Sequence, residues 1–292
     1  MFSNDTNRAV LFQFITVFLL VTMNFAAKYV SDQHHSVEVL FFRNIFSFIS
    51  IFIYILVTKK YHFFKTEKPL LHVKRSISGN VGVFCVFTAF SMLPMADMTA
   101  LLSATPLTAT VFAFLLLGEK TRPLSWIFIL MGMVGVFFIA QPSGDVSIEG
   151  IGMALISICT ISWVVVQLRE MGRTENTITT VFYFYLVGTI VTIPFMFFMG
   201  KVPTWEASFF LLLCAVCALV SQLLKTEAIK FIPVSIATAI THVSLIWAAV
   251  YGYLFWDDIP ETHVIIGAMI IIVSSFCLVK YKEQKKAAID PC

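Results

Sequence analysis

An all-α integral membrane protein of ten transmembrane helices, arranged as two inverted five-helix repeats, is the fold that three observations predict. First, 59% of the residues are hydrophobic and 13% charged, with a mean hydropathy of +0.88, whereas soluble globular chains carry roughly a quarter charged residues. Second, apolar runs of about the 20 residues needed to cross a bilayer succeed one another at 9–29, 37–57, 75–93, 97–117, 124–141, 150–169, 178–199, 206–225, 234–256 and 263–280. Third, the chain echoes itself at a shift of 139 positions, which brings Pro94 onto Pro233, Thr99 onto Thr238, Ala100 onto Ala239, Leu115 onto Leu254 and Glu119 onto Asp258. A period near half the chain makes each repeat a half-domain, at 1–143 and 144–292. Five spans is an odd number, so the second copy enters the membrane in the opposite sense to the first.

Charge placement orients the bundle. With the N-terminus inside, only Lys28, Arg43 and Lys201 of the 20 basic residues fall outside the inner segments, which by the positive-inside rule puts both termini in the cytoplasm of a cell whose inner membrane the protein spans. The first run, after Arg8, lacks a small-residue cleavage site and is followed by nine more, so it is read as a retained helix rather than a signal peptide. The six cysteines lie mostly in apolar runs as small hydrophobes. The C-x-x-C of Cys214 and Cys217 has no second ligand pair beside it, so no metal and no cofactor are expected.

Span 1 carries Asn24 and ends at NFAAKYV, and span 2 opens with EVLFFRNIFSF. An aromatic, two small residues and a lysine closing one helix, followed by an arginine early in the next, resembles the drug/metabolite transporter superfamily, EamA type; Lys28 and Arg43 stand at the matching positions. Each has a bland reading as an interfacial anchor whose head snorkels to water and a functional one in the pathway. A charge at bilayer depth costs about 2.5 to 3.5 kcal/mol even on the lenient insertion scale, so Arg43 needs a partner, with Asp32, Glu38 and Asp97 as the candidates. The basic loop from Thr58 to Arg75 suits orientation and anionic lipid, and no nucleic acid is expected as a partner.

Spans 3 and 4 continue the resemblance with Pro94 as a hinge, Pro106 in mid-helix and a closing Leu-Leu-Leu-Gly-Glu at 115–119. Pro106 removes a backbone donor and frees the Leu102 carbonyl, which in lipid must find another partner or face a cavity. Thr99, Ser103, Pro106 and Thr110 share one face, either as close-packing small residues or as a polar wall. Asn80 is a polar candidate in span 3. In the second half Trp163 and Arg169 look like span 6 counterparts, and span 9 departs from the pattern with Leu245 where Pro106 stands and Trp-Asp-Asp at its end.

The shift maps Ser103 onto His242, the histidine nearest the middle of a span. An intramembrane ionisable residue is a functional candidate by default; substrate contact, proton relay and plain packing remain open for it. Thr238 shares its face. Gln167, Tyr183, Tyr185, Gln222 and Trp247 are further polar or aromatic pathway candidates, and Asp257, Asp258, Glu261 and His263 read as an acidic outer cap.

The resemblance implies a secondary transporter moving a small organic metabolite by alternating access, without enzymatic chemistry. It leans toward uptake of a vitamin or nucleoside-like solute of the riboflavin or S-adenosylmethionine type. Amino-acid or drug export within the superfamily is the alternative and a lipid flippase a more distant one. No P-loop signature is present to drive a primary pump. A small-molecule substrate, membrane lipid and protons as a coupling ion are the expected partners of a monomer or homodimer.

Overall fold

The computed structural model describes residues 4–118, 123–140, 147–171, 175–228 and 240–289. Among the described residues are eleven α-helices: α1 (Asn4–Val30), α2 (Ser36–Val57), α3 (Pro69–Met92), α4 (Met95–Leu102), α5 (Thr105–Leu117), α6 (Pro123–Ile139), α7 (Ile148–Met171), α8 (Thr177–Met199), α9 (Trp205–Ala228), α10 (Ser244–Trp256) and α11 (Thr262–Ile289). A 3-10 turn at Tyr61–Phe64 lies between α2 and α3. Among the described residues seven spans are helices long and apolar enough to cross a membrane, one of them α4 and α5 counted together, while α6 and α10 are shorter apolar helices.

Among the described residues the predicted spans are helical, with three corrections. Helix α3 starts at Pro69, a proline in the first turn, where its missing N–H costs nothing. Span 4 is two helices rather than one kinked helix: the chain turns at Ser103–Ala104, and Pro106 starts α5 instead of interrupting it. Helix α11 continues past the expected end to Ile289. The expectations for Thr238, for the Pro233 end of the repeat and for Glu119 fall outside the described residues.

The packing obeys the repeat. Exchanging each span for the one five places along converts α1 on α9 into α7 on α3, α3 on α8 into α9 on α2, and α5 on α7 into α10 on α1, and every one of these pairs is in contact. The pairs α2 with α8, α4 with α10 and α6 with α11 convert into themselves, so they straddle a pseudo-two-fold axis. With five spans per half, that axis lies in the membrane plane. At the α6–α11 crossing the backbones nearly touch: a Cβ on Gly135 would sit 2.8 Å from the Gly267 carbonyl oxygen, and one on Gly267 2.7 Å from that of Gly135. Glycine there permits the close approach common between membrane helices.

Polarity is distributed inside out. Phe197, Phe198 and Trp205 stand exposed, while Arg43, Asn44, Arg75, Asn80 and Ser221 are buried. An apolar exterior around a polar interior is what lipid as solvent demands.

Candidate functional site

A ladder of buried polar side chains joins α2, α3 and α8. Arg43 Nη1 donates to Asn44 Oδ1 (2.9 Å), Asn44 Nδ2 to Asn80 Oδ1 (2.7 Å), and Asn80 Nδ2 to the carbonyls of Ser76 (2.8 Å) and Phe184 (3.3 Å). Glycines make the space. A Cβ on Gly188 would lie 2.5 Å from both Asn44 Nδ2 and Asn80 Oδ1, and one on Gly79 would lie 2.8 Å from the Phe184 ring. Phe184, seated on the α3 backbone, therefore meets two guanidiniums, Arg75 at 4.4 Å and Arg43 at 5.4 Å from its centroid, and Arg43 also lies 5.3 Å from the Tyr185 centroid. Such cation–π contacts partly replace the water each guanidinium has lost.

The carboxylate expected for Arg43 is not there. Glu38 is engaged elsewhere, and among the described residues neither Arg43 nor Arg75 forms an ion pair. Arg75 Nη1 reaches only the Thr180 carbonyl, at 3.4 Å. Both Nε atoms and the Tyr185 hydroxyl are buried without a hydrogen-bond partner. Ser47 lies beside Tyr185; its hydroxyl donates to the Ala215 carbonyl (3.0 Å) and keeps acceptor capacity toward the phenol.

The second polar region surrounds the break in span 4 and its counterpart in span 9. In span 4 the turn is closed by Ala104 N donating to the Leu101 carbonyl and Leu107 N to the Ala104 carbonyl, both at 3.0 Å. In span 9, Val243 N donates to Ile240 O (3.0 Å) and Ile246 N to Val243 O (3.1 Å), the same pairs displaced by 139. The helix ends match as well: Gly118 and Asp257 close α5 and α10 in the left-handed region, with φ of 62° and 53°. The Leu102 carbonyl freed by Pro106 accepts from the Thr105 hydroxyl at 2.6 Å. Ser103 and Thr110 return their hydroxyls to the Thr99 and Pro106 carbonyls of their own segments, each at 3.1 Å.

His242 sits at the span 9 break, half-buried, and both its ring nitrogens are buried without a hydrogen-bond partner among the described residues. Helix α1 faces this region: Gln13 Nε2 donates to Thr241 Oγ1 (3.3 Å), Thr22 and Tyr251 share a hydrogen bond (3.0 Å), and Phe18 meets Trp247 edge-on at 5.0 Å. Asn24 on α1 and Gln167 on α7 are buried with side-chain carbonyl oxygens unpartnered. Trp163 packs edge-on against Phe112 at 5.9 Å. Tyr183 donates to the Phe64 carbonyl (2.9 Å), and Gln222 is half-buried on α9.

Three charged residues tie down the two ends of the bundle. Lys28 Nζ donates to the carbonyls of Phe90 (2.9 Å) and Leu93 (2.7 Å), capping the C-terminus of α3, and lies 5.3 Å from the Trp256 ring. At the same end Glu38, fully buried, accepts from His35 N (2.9 Å) and Lys201 N (2.6 Å), with His34 Nδ1 3.3 Å away, so it pins the loop after α8 onto α2. At the opposite end Glu175 accepts from the Thr66 hydroxyl (2.9 Å) and has His72 Nε2 at 3.3 Å, pinning the loop after α2 beside the start of α8. The two carboxylates exchange roles under the pseudo-two-fold in one respect, each reaching the loop that follows the other's helix, whereas their histidines come from unrelated positions, His34 beside α2 and His72 on α3. Sequence reasoning placed Glu38 and Glu175 in neither role, because loops distant in the chain supply their partners.

A polar interior between inverted helical repeats, each with a broken span at matching positions, defines a multi-pass membrane transporter rather than an enzyme. The sequence profile of the EamA-like transporter family matches residues 7–141 and again 148–280. The chain belongs to that family, within the drug/metabolite transporter superfamily. It is similar to the pseudopaline exporter CntI of Pseudomonas aeruginosa, 27% identical with 94% of this chain and 96% of the relative covered. It is also similar to the S-adenosylmethionine uptake transporter of Rickettsia bellii (24%; 89% and 88%) and to human solute carrier family 35 member G1 (20%; 89% and 76%). One crystal structure superposes with a TM-score of 0.67 over 95% of this chain and 98% of its own at 15% identity, which bears on the fold alone.

Proposed function

We propose that this transporter is a secondary carrier that moves a small organic metabolite by alternating access between its two halves, along a pathway lined by Asn24, Thr99, Ser103, Pro106, Trp163 and His242, with repeats divided at 143/144. The observation that carries this reading is the recurrence of one helix break at Ser103–Ala104 and at His242–Val243, in spans that meet on the pseudo-two-fold axis. Broken helices at the repeat interface supply free backbone polarity at mid-membrane, where transporters place substrate. Protons are the coupling ion, the membrane is the cell inner membrane, and both termini lie in the cytoplasm.

The S-adenosylmethionine uptake relatives support uptake of a nucleoside-like solute or vitamin. Export is the second reading, favoured by the similarity to the pseudopaline exporter over nearly the whole of both chains. Vesicles of both orientations, given a panel of labelled metabolites from outside and assayed with and without a proton gradient, decide between them. Accumulation in right-side-out vesicles supports uptake, and accumulation in inverted ones supports export. Scrambling of labelled lipid with no solute carried would defeat both. A cysteine introduced between Lys59 and Lys74 that reacts with an impermeant reagent from outside would reverse the topology.

A further inference from the structure

We propose that Arg43, Arg75 and Tyr185 form a binding subsite for an anionic group, a carboxylate or phosphate, on the transported solute; this rests on the carrier reading above and adds the chemistry of what is carried.

Three features converge on one locus. Arg43 and Arg75 are 4% and 1% exposed and approach the same Phe184 ring. Each keeps an Nε–H with no acceptor, and beside them the fully buried Tyr185 holds a hydroxyl with no partner. The third feature is charge imbalance. The described carboxylates closest in sequence to Arg43 and to Tyr185, Glu38 and Glu175, are committed to the end loops.

Two like charges buried at bilayer depth without a counter-ion are costly, and aromatic faces satisfy the cation but not its N–H groups. A purely structural arginine would be expected to have its fork filled by carboxylate or carbonyl oxygens. Here the fork of Arg43 is oriented through Nη1 by Asn44, and Asn44 is held by Asn80, which two backbone carbonyls fix. That is a preorganised donor set whose missing member is an acceptor. The planar guanidinium fork matches carboxylate and phosphate oxygens in pairs, and the Tyr185 hydroxyl adds a neutral donor. Such a group arrives either on a soluble metabolite or on a lipid headgroup.

The test uses purified full-length protein in a neutral detergent. Thermal unfolding is followed while inorganic phosphate or citrate is titrated at ionic strength held constant with sodium chloride. Wild type should be stabilised saturably by phosphate or citrate beyond the chloride control. Tyr185→Phe removes one hydroxyl and leaves both guanidiniums in place, so its midpoint without anion should fall less than that of either arginine variant, while its half-saturating concentration rises about tenfold, the value of one hydrogen bond to a charged group. Arg43→Gln and Arg75→Gln should lose the response. Because those variants risk misfolding, Arg43→Lys and Arg75→Lys, which keep the charge without the fork, should show a response weakened severalfold.

A wild-type response no larger than that to chloride overturns the subsite, as does an unaltered response in Tyr185→Phe together with both lysine variants. Stabilisation seen only with phosphatidylglycerol makes a lipid headgroup the occupant and overturns the solute assignment. Should vesicles carry a solute with no anionic group at the same rate in wild type, Tyr185→Phe and Arg43→Lys, the carrier stands and the subsite falls. Saturable stabilisation by phosphate with no solute carried leaves the subsite standing and removes the carrier.

Discussion

Gly188→Ala is the sharpest probe of the buried ladder. The added methyl would sit 2.5 Å from Asn44 Nδ2 and from Asn80 Oδ1, and 2.7 Å from Asn80 Nδ2, whereas the Asn44–Asn80 bond it abuts is itself 2.7 Å long. Neither amide can yield cheaply, because Asn80 is also fixed by the Ser76 and Phe184 carbonyls and Asn44 also receives Arg43. Overpacking costs about 1 to 3 kcal/mol and a lost buried hydrogen bond about 1 more, so the variant should be less stable by about 2 to 4 kcal/mol. Equilibrium unfolding in mixed detergent micelles measures this. Asn80→Ala removes the obstacle, so adding Gly188→Ala to it should cost little, with a coupling of about 1 to 3 kcal/mol between the two sites. A Gly188→Ala protein within about 0.5 kcal/mol of wild type, a margin typical of neutral surface changes, would refute the packing described, and strict additivity in the double variant would refute the coupling.

The remaining predictions concern the break and the two ends. His242→Ala should reduce transport without loss of folded protein, while His242→Gln, which hydrogen-bonds but takes up no proton at ordinary pH, should keep binding and lose pH dependence; normal transport with an unchanged pH profile in both variants would make His242 a packing residue. Lys28→Met should destabilise by about 2 to 3 kcal/mol, since two helix-end carbonyls lose a charged donor, and unfolding midpoints equal to wild type would show that the cap is dispensable. Glu38→Gln weakens the tie at one end and Glu175→Gln the tie at the other, so cysteine-accessibility labelling of the pathway should shift toward opposite faces in the two variants. Labelling that shifts in the same direction for both would remove the ties as gates.

Much of the fold was legible because lipid imposes a rule that a sequence displays openly, the length of an apolar span. The repeat was legible through Pro94, Thr99, Leu115 and their partners 139 residues on. The break in span 9 was not, since Leu245 replaces the proline that flagged span 4, and the turn forms there nonetheless. Arg75 was read as the last charge of a basic loop. Its helix begins six residues earlier than hydropathy suggested, because Pro69 starts α3 before the polar residues run out, and this carries Arg75 inside the bundle. Asn44 and Gly188 escaped notice for a different reason: a polar neighbour of an arginine and a glycine among aromatics acquire meaning only once α2, α3 and α8 are brought together.

The matched geometry of the two halves has an energetic consequence. Two inverted copies of one structure possess a pair of conformations in which each half adopts the other's posture, and with identical sequences these would be equal in free energy by symmetry. Every difference in their populations must then come from positions where the copies have drifted apart, such as Ser103 against His242, Pro106 against Leu245, and Gly118 against Asp257. A ratio of ten to one between the two states needs about 1.4 kcal/mol, well within the reach of a single residue. The resting bias of the molecule is thus written in its asymmetries, and restoring one of these residues to its counterpart is the most economical way to move it.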